Sequence, residues 1–425
     1  MSGPRDFAAF FVALRAGARL CLRQPVGRFR HPWISVMPPS IEAQRLFDAP
    51  DVDDDRFVLG DYSLGLFHHD VSEAAIALAP LGGDFAEACF GSLLCFLDCA
   101  EPNGLIHRIE LPQRARDVEP AKPVMAQLAL RAIDGLGPSG LARAEAERVL
   151  PRLLAFVDHL ERHWMSPRGL FLTPSARASG FDSDILTAGL PERTIEGPDT
   201  NTFMVLEYRA LAELARRLGD ASSAERSLER AEALRARIDE RLWFEDERGG
   251  LYTGFDSSTG AFVTDRDERG RPCAFETWVS LLPLYAGIPS AARAALLVRR
   301  LLDPDAFFGP VGIRTLARRS PYFTDARRVL VYDPRRGRRG AVSNWTGPVW
   351  SLSTWYLARG LERYGYEDEA RDLDGRSLRL LASDLARTGR LHECYDDAGV
   401  GLWPPRGTFM SWNVLALTQR AGPGG

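Results

Sequence analysis

The feature that most constrains this chain is the spacing of its amphipathic stretches. Apolar residues recur at i, i+3, i+4 and i+7 through about twelve segments, near 5–19, 68–80, 85–100, 121–135, 140–164, 199–219, 221–242, 273–286, 289–302, 345–365, 366–385 and 407–421. Short links such as Leu81-Gly82-Gly83-Asp84, Gly137-Pro138-Ser139, Gly219-Asp220 and Gly287-Ile288 join them in pairs. Long links near 101–120, 165–198, 243–272, 303–344 and 386–406 separate one pair from the next. The chain therefore reads as a series of helical hairpins with every long loop on one side.

The two kinds of helix also differ in chemistry. Those after long links open with aromatic and polar clusters: Phe67-His68-His69-Asp70, Lys122-Pro123, Asp199-Thr200-Asn201, Cys273 to Trp278, Trp345 to Trp350 and Thr408 to Trp412. Those after short links, such as Ala221 to Leu242 with its Arg/Glu/Ala repeat, carry one apolar face and one solvated face. A hairpin that buries its apolar face only against its neighbours needs such stacking, and six inner and six outer helices close into an all-α (α/α)6 barrel. Residues 1–425 then form a single domain, with loop insertions near 165–198, 243–272 and 303–344 over the barrel mouth. Gly250 to Phe262 reads as a hairpin set between helices. The helix starts converge on that mouth, which is the expected site.

Composition excludes several classes of function. A 425-residue chain with 45% hydrophobic and 26% charged residues can bury a large core. Its formal charge of -4 offers no basic field for nucleic acid, and no stretch reaches the ~20 apolar residues that span a bilayer. The run Phe7 to Leu14, bracketed by Arg5, Asp6, Arg15 and Arg19, reads as a surface helix and not as a leader. Six scattered cysteines without a Cys-x-x-Cys or Cys/His pattern suit reduced thiols in a cytoplasm and give no expectation of a metal or other cofactor. The acidic run Asp51 to Asp55 lacks the glycine turn and terminal glutamate of a calcium loop and reads as solvated. Among 53 basic residues only Lys122 is lysine, which singles it out as a compact cation.

The most distinctive stretch runs from Asn344 to Tyr366, with Trp345-Thr346-Gly347-Pro348-Val349-Trp350 followed by Arg359-Gly360-Leu361 and Tyr364-Gly365. Two further segments stand beside it: Ser179-Gly180-Phe181-Asp182 with Asp199 and Asn201, and His392-Glu393-Cys394-Tyr395 with Phe409-Met410-Ser411-Trp412. Together they resemble the six-hairpin glycosidases, specifically glycoside hydrolase family 63 in its short bacterial mannosylglycerate and glucosylglycerate hydrolase group. The resemblance covers about Trp33 to Leu417. Thr346 stands where that family usually has arginine, and Ser183-Asp184-Ile185-Leu186 replaces its Asn-Ser-Pro-Arg. Gly65 to Asp70 resembles its Trp-x-Trp-Asp-Ser segment with both tryptophans missing, and Asn103 to His107 its Gly-x-Ile-Pro-His loop without the proline.

The resemblance implies an inverting α-glycoside hydrolase in which Asp182 is the general acid and Glu393 the general base, with carboxyls roughly 6.5 to 9.5 Å apart to admit a water. It implies Asp70 as a sugar ligand, His107 as a substrate-binding residue of the ring of loops, and Lys122 at a substrate-facing polar position. Asp182 has to keep its proton near neutral pH, which requires partial burial or a like-charge neighbour; Asp184 is a candidate for that neighbour, though it reads first as structural. Trp345, Trp350 and Trp412 offer apolar faces to sugar C–H groups, and Gly347 allows close backbone approach. For an acidic aglycone such as glycerate, Lys122 and Arg193 are the expected anion receptors by loop position. The expected partner is a small α-glucoside or α-mannoside. A trehalase-like or α-glucosidase reaction on a neutral disaccharide is the alternative, as is a non-catalytic sugar-binding barrel. An epimerase on the same fold needs a histidine pair, and the adjacent His68 and His69 point in different directions on one helix.

Overall fold

The structure is a computed structural model, described over residues 7–39, 63, 65–113, 119–267, 269–333 and 338–420. The acidic run at 51–55 lies outside the described residues. Helices dominate: α1 (Ala8–Arg19), α2 (His68–Leu78), α3 (Gly83–Asp98), α4 (Met125–Leu136), α5 (Pro138–Ala146), α6 (Val149–Trp164), α7 (Pro198–Arg217), α8 (Ala221–Arg241), α9 (Pro283–Ala286), α10 (Ala291–Leu301), α11 (Ser351–Arg363) and α12 (Glu367–Thr388). Short 3-10 segments stand at Ala79–Leu81 after α2, at Trp278–Leu281 before α9 and at Ser411–Thr418 at the end, and the strands are small antiparallel ribbons between the helices.

Inner and outer helices separate as their sequences dictate. α7 starts with Pro198 at a position whose N–H would have no helical partner, and it is buried on nearly every face from Pro198 to Ala215. Its hairpin partner α8 is capped by Asp220, whose side chain accepts from the Ser223 N–H at 3.0 Å, and it buries a single stripe through Ala231, Leu234 and Ile238. α2 packs on α4, α4 on α7, α7 on α9, α9 on α11, α11 on the final 3-10 segment, and that segment returns to α2. Around this circuit α3 covers α2 and α4, α6 covers α4 and α7, α8 covers α7, α12 covers α11, and α1 covers the final segment. Gly365 ends the α11 region at φ 83, the left-handed conformation that glycine adopts without steric cost.

Several elements differ from the sequence expectation, and prolines explain two of them. The stretch expected as one helix at 140–164 is two, α5 and α6, with Arg148 left-handed at φ 51 between them. Pro151 can occupy only the first turn of a helix, so α6 starts at Val149. The helix expected at 273–286 is a strand at Pro272–Ala274, then the 3-10 turn, then four residues beginning at Pro283. The expected hairpin at 250–262 is divided between two ribbons: Gly249–Tyr252 pairs back with Trp243–Asp246, while Phe255–Asp256 pairs with both Ala261–Phe262 and Ile195–Glu196. A longer ribbon that the sequence did not signal, Arg328–Asp333 with Arg338–Ser343, stands in the 303–344 link with Arg328 opposite Ser343. Among the described residues no helix is long and apolar enough to cross a membrane.

Candidate active site

Three carboxylates, two from links and one from a helix start, meet at one end of the helical circuit. Glu393 follows α12, and its backbone N–H donates to the Trp403 carbonyl in the short ribbon Cys394–Tyr395 with Gly401–Trp403. Asp70 sits in the first turn of α2, where Ser411 Oγ donates to Oδ1 at 2.7 Å. Asp182 lies just after Gly180, a residue at φ 79 where an added Cβ would stand 2.8 Å from His69 Nδ1. That close approach brings the Asp182 turn against the helix that carries Asp70. Ser183 Oγ then accepts the Trp345 N–H at 2.7 Å, tying this turn to the lead-in of α11.

Electrostatics show the three groups acting on one another. Burial pushes the Glu393 carboxyl up to about 8; Arg328 opposes the shift, and the charges of Asp70 and Asp182 add to it. Ser343 Oγ lies 3.4 and 3.3 Å from the two Glu393 carboxylate oxygens. Burial likewise raises Asp70 to about 7 against the Ser411 hydrogen bond, with Glu73 and Asp182 contributing like charge. Asp182 itself is partly exposed. A site of this kind can hold a proton on one carboxyl while another is ionised, the arrangement that acid–base hydrolysis needs.

Asp184 is bonded into the wall beside this turn. Its Oδ1 accepts from the Leu186 N–H at 3.0 Å and its Oδ2 from the Thr277 hydroxyl, and burial raises it to about 7 with Asp199 and Lys122 as its charged neighbours. The charge of Asp182 bears on Asp70 and Glu393.

The other expected ligands fall in different places. Trp345 stacks on Trp350 at 3.6 Å and 13°, and on Trp278 at 5.6 Å and 18°, and it is 1% exposed. Trp350 is fully buried and donates its indole N–H to the Asn344 carbonyl at 2.9 Å. Trp412 packs against Phe409, Trp350 and His69 and is also buried. Neither Trp345 nor Trp350 therefore turns an open face to a sugar: they form an aromatic floor, and burial of each large ring contributes about 2–3 kcal/mol. Gly347 does permit a close backbone approach, but to the Thr324 carbonyl, which a Cβ would meet at 2.4 Å.

Lys122 is enclosed among aromatic rings and a carboxylate. Its Nζ is 3.7 Å from the Phe181 ring centroid, 4.2 Å from that of Phe203 and 3.9 Å from Asp199 Oδ2, with 1% of its side chain exposed. Burial draws its ammonium down to about 7, against the charges of Asp199, Glu73 and Asp184. An ammonium enclosed in this way is not a receptor for a carboxylate arriving from solvent. Arg193 is exposed at φ 63, with its guanidinium 4.4 Å over the Trp164 ring at the end of outer helix α6. His107 is buried, with Nε2 3.1 Å from Glu101 Oε1. Sequence reasoning missed Ser343, Arg328 and Ser411. Of these only Ser411 carried a signal, since it sits beside Trp412 in a segment already singled out.

Comparison with known proteins gives this geometry a context. A mannosylglycerate hydrolase from Rubrobacter radiotolerans is 34% identical over 188 residues, 43% of this chain and 36% of that protein. A periplasmic trehalase from Pseudomonas aeruginosa is 28% identical over 48% of this chain and 33% of its own length. The matched segments thus span about a third of these curated relatives. The crystal structure of a family 63 mannosylglycerate hydrolase from Thermus thermophilus, in complex with glucose, superposes with a TM-score of 0.67 at 21% identity, covering 97% of this chain and 99% of that one. The profile of the mannosylglycerate hydrolase MGH1-like glycoside hydrolase domain matches residues 96–399, which include Asp182, the Trp345 stretch and Glu393. By that match the chain belongs to the MGH1-like glycoside hydrolase family.

Proposed function

We propose that this protein is an inverting α-glycoside hydrolase whose inner and outer helices make an (α/α)6 barrel, with Asp182 as general acid, Glu393 as general base and Asp70 as sugar ligand. The observation that carries the reading is the mutual field of these three carboxyls at the end of the helical circuit where the long links meet. In the reaction Asp182 gives its proton to the glycosidic oxygen as the bond from that oxygen to the anomeric carbon breaks. Glu393 takes a proton from the water that attacks the opposite face of the sugar, and the anomer inverts. Ser343 orients the Glu393 carboxylate and Ser411 that of Asp70.

The proposed substrate is a mannosylglycerate-like α-glycoside, supported by what the Rubrobacter and Thermus relatives are named for. Trehalose is the second candidate, on the Pseudomonas relative. Sugar release from mannosylglycerate, glucosylglycerate and trehalose at equal concentration tests the choice. The expected result is kcat/KM at least tenfold higher on one of the glycerate glycosides. Preference for trehalose would move the assignment to a neutral disaccharide, and no release from any of them would leave only a binding role.

One observation favours a second assignment of roles on the same residues. A carboxyl raised to about 8, as Glu393 is, holds a proton at neutral pH in the free site, which suits an acid. With Glu393 as acid, Asp182 is the base.

A further inference from the structure

Beyond the three carboxylates, a buried titratable group is bonded to both sides of the Glu393 turn. Asp384, near the end of α12, is fully buried. Its Oδ2 lies 2.7 Å from His392 Nδ1, the residue just before Glu393, and accepts from the Tyr395 hydroxyl at 3.0 Å, two residues after it. The Tyr395 hydroxyl in turn accepts the His392 backbone N–H at 3.0 Å. One carboxylate oxygen thus closes a loop from which residues 393 and 394 project.

The rest of the packing leaves this loop little freedom. Gly401 presses on the His392 ring so closely that a Cβ there would lie 2.1 Å from Cγ. Asn413 Nδ2 donates to the His392 carbonyl at 2.8 Å, from the same 3-10 segment whose Ser411 holds Asp70. Burial acts to raise the Asp384 carboxyl, but the His392 hydrogen bond and charge, with Tyr395 and Arg387, hold it below the usual carboxylate range. Arg387 reaches the other oxygen at 3.3 Å, and Thr388 Oγ1 is also within reach at 3.4 Å.

We propose that Asp384 is a positioning residue for the reaction: acting through His392 and Tyr395, it fixes the turn that aims the Glu393 carboxylate. The inference rests on the hydrolase reading. Charge-assisted hydrogen bonds between buried groups are the stronger kind, and a carboxylate displaced by about 1 Å is enough to cost a hundredfold in rate. Asp384→Asn keeps the shape and removes the charge.

In the full-length protein acting on its best α-glycoside, Asp384→Asn is expected to lower kcat by about 10- to 100-fold with KM within about threefold. The pH–rate limb that Glu393 controls is expected to move by at least about half a unit, because the carboxylate changes its surroundings. Tyr395→Phe removes a single hydroxyl and is expected to move the same limb in the same direction by less, which keeps the test available if Asp384→Asn folds poorly. A wild type that turns over while both variants keep kcat within twofold and the same limb overturns the inference and spares the hydrolase reading. A wild type that turns over no α-glycoside sinks both.

Discussion

Asp182→Asn is expected to lower kcat about a thousandfold on a mannosylglycerate-like substrate, yet to leave turnover of α-mannosyl fluoride within about tenfold of wild type. Fluoride leaves without being protonated, so removing the acid matters only for the substrate with a poor leaving group. Glu393→Gln is expected to lose both activities, because the water still needs a base. The contrast follows from placing the acid on the partly exposed turn after Gly180 and the base on the buried turn held by Ser343. If Glu393→Gln is the variant whose fluoride turnover survives, the roles are exchanged, as the proton held by Glu393 near neutral pH allows. Equal losses on both substrates in both variants would contradict either division of labour.

The second large effect is on stability. Glu393 titrates near 4.5 when unfolded and near 8 when folded, because burial removes water from its carboxylate. A raised folded value means that the fold tolerates the protonated group better. Stability is therefore fully present below about pH 4.5 and falls as pH rises toward and through 8, by an amount on the order of 5 kcal/mol for this one group. Glu393→Gln removes the titration. Its Tm is accordingly expected to exceed that of the wild type by several degrees at pH 8.5, with the gap nearly closed at pH 5. Thermal melts of the two proteins at both pH values check this, and a gap that is equal at the two, or reversed at pH 8.5, would show that Glu393 is not held against its charge.

Much of the helical circuit was legible because a helix must repeat its apolar face every 3.6 residues, and the glycine-containing short links punctuate that repeat. The two misplaced boundaries had signals in the sequence. Pro151 and Pro283 each forbid the interior of a helix, and a strict reading of them places the starts of α6 and α9 correctly. The ribbon at Arg328–Asp333 and Arg338–Ser343 had none of comparable strength, since its arginines interrupt the alternation expected of a strand.

For the site, the motifs singled out three carboxylates whose charges act on one another in the structure, but not the direction in which their neighbours face. An indole beside a Gly-Pro turn can line a cavity or fill a core with the same residues on either side, and Trp345 and Trp350 fill the core by stacking on each other. Lys122 shows the same limit. A lone lysine at the start of an inner helix looks like a ligand, but only the packing reveals Phe181 and Phe203 closing over its ammonium. Arg328 and Ser343 approach Glu393 only because two strands pair across a link, a contact that no local pattern encodes.

The most direct test of the central claim is the anomer released first. With the wild-type protein and a mannosylglycerate-like α-glycoside, proton NMR in the first minutes is expected to show the β-anomer of the free sugar appearing before mutarotation produces the α-anomer. Initial release of the α-anomer would contradict inversion between Asp182 and Glu393, and absence of any release would contradict hydrolysis itself.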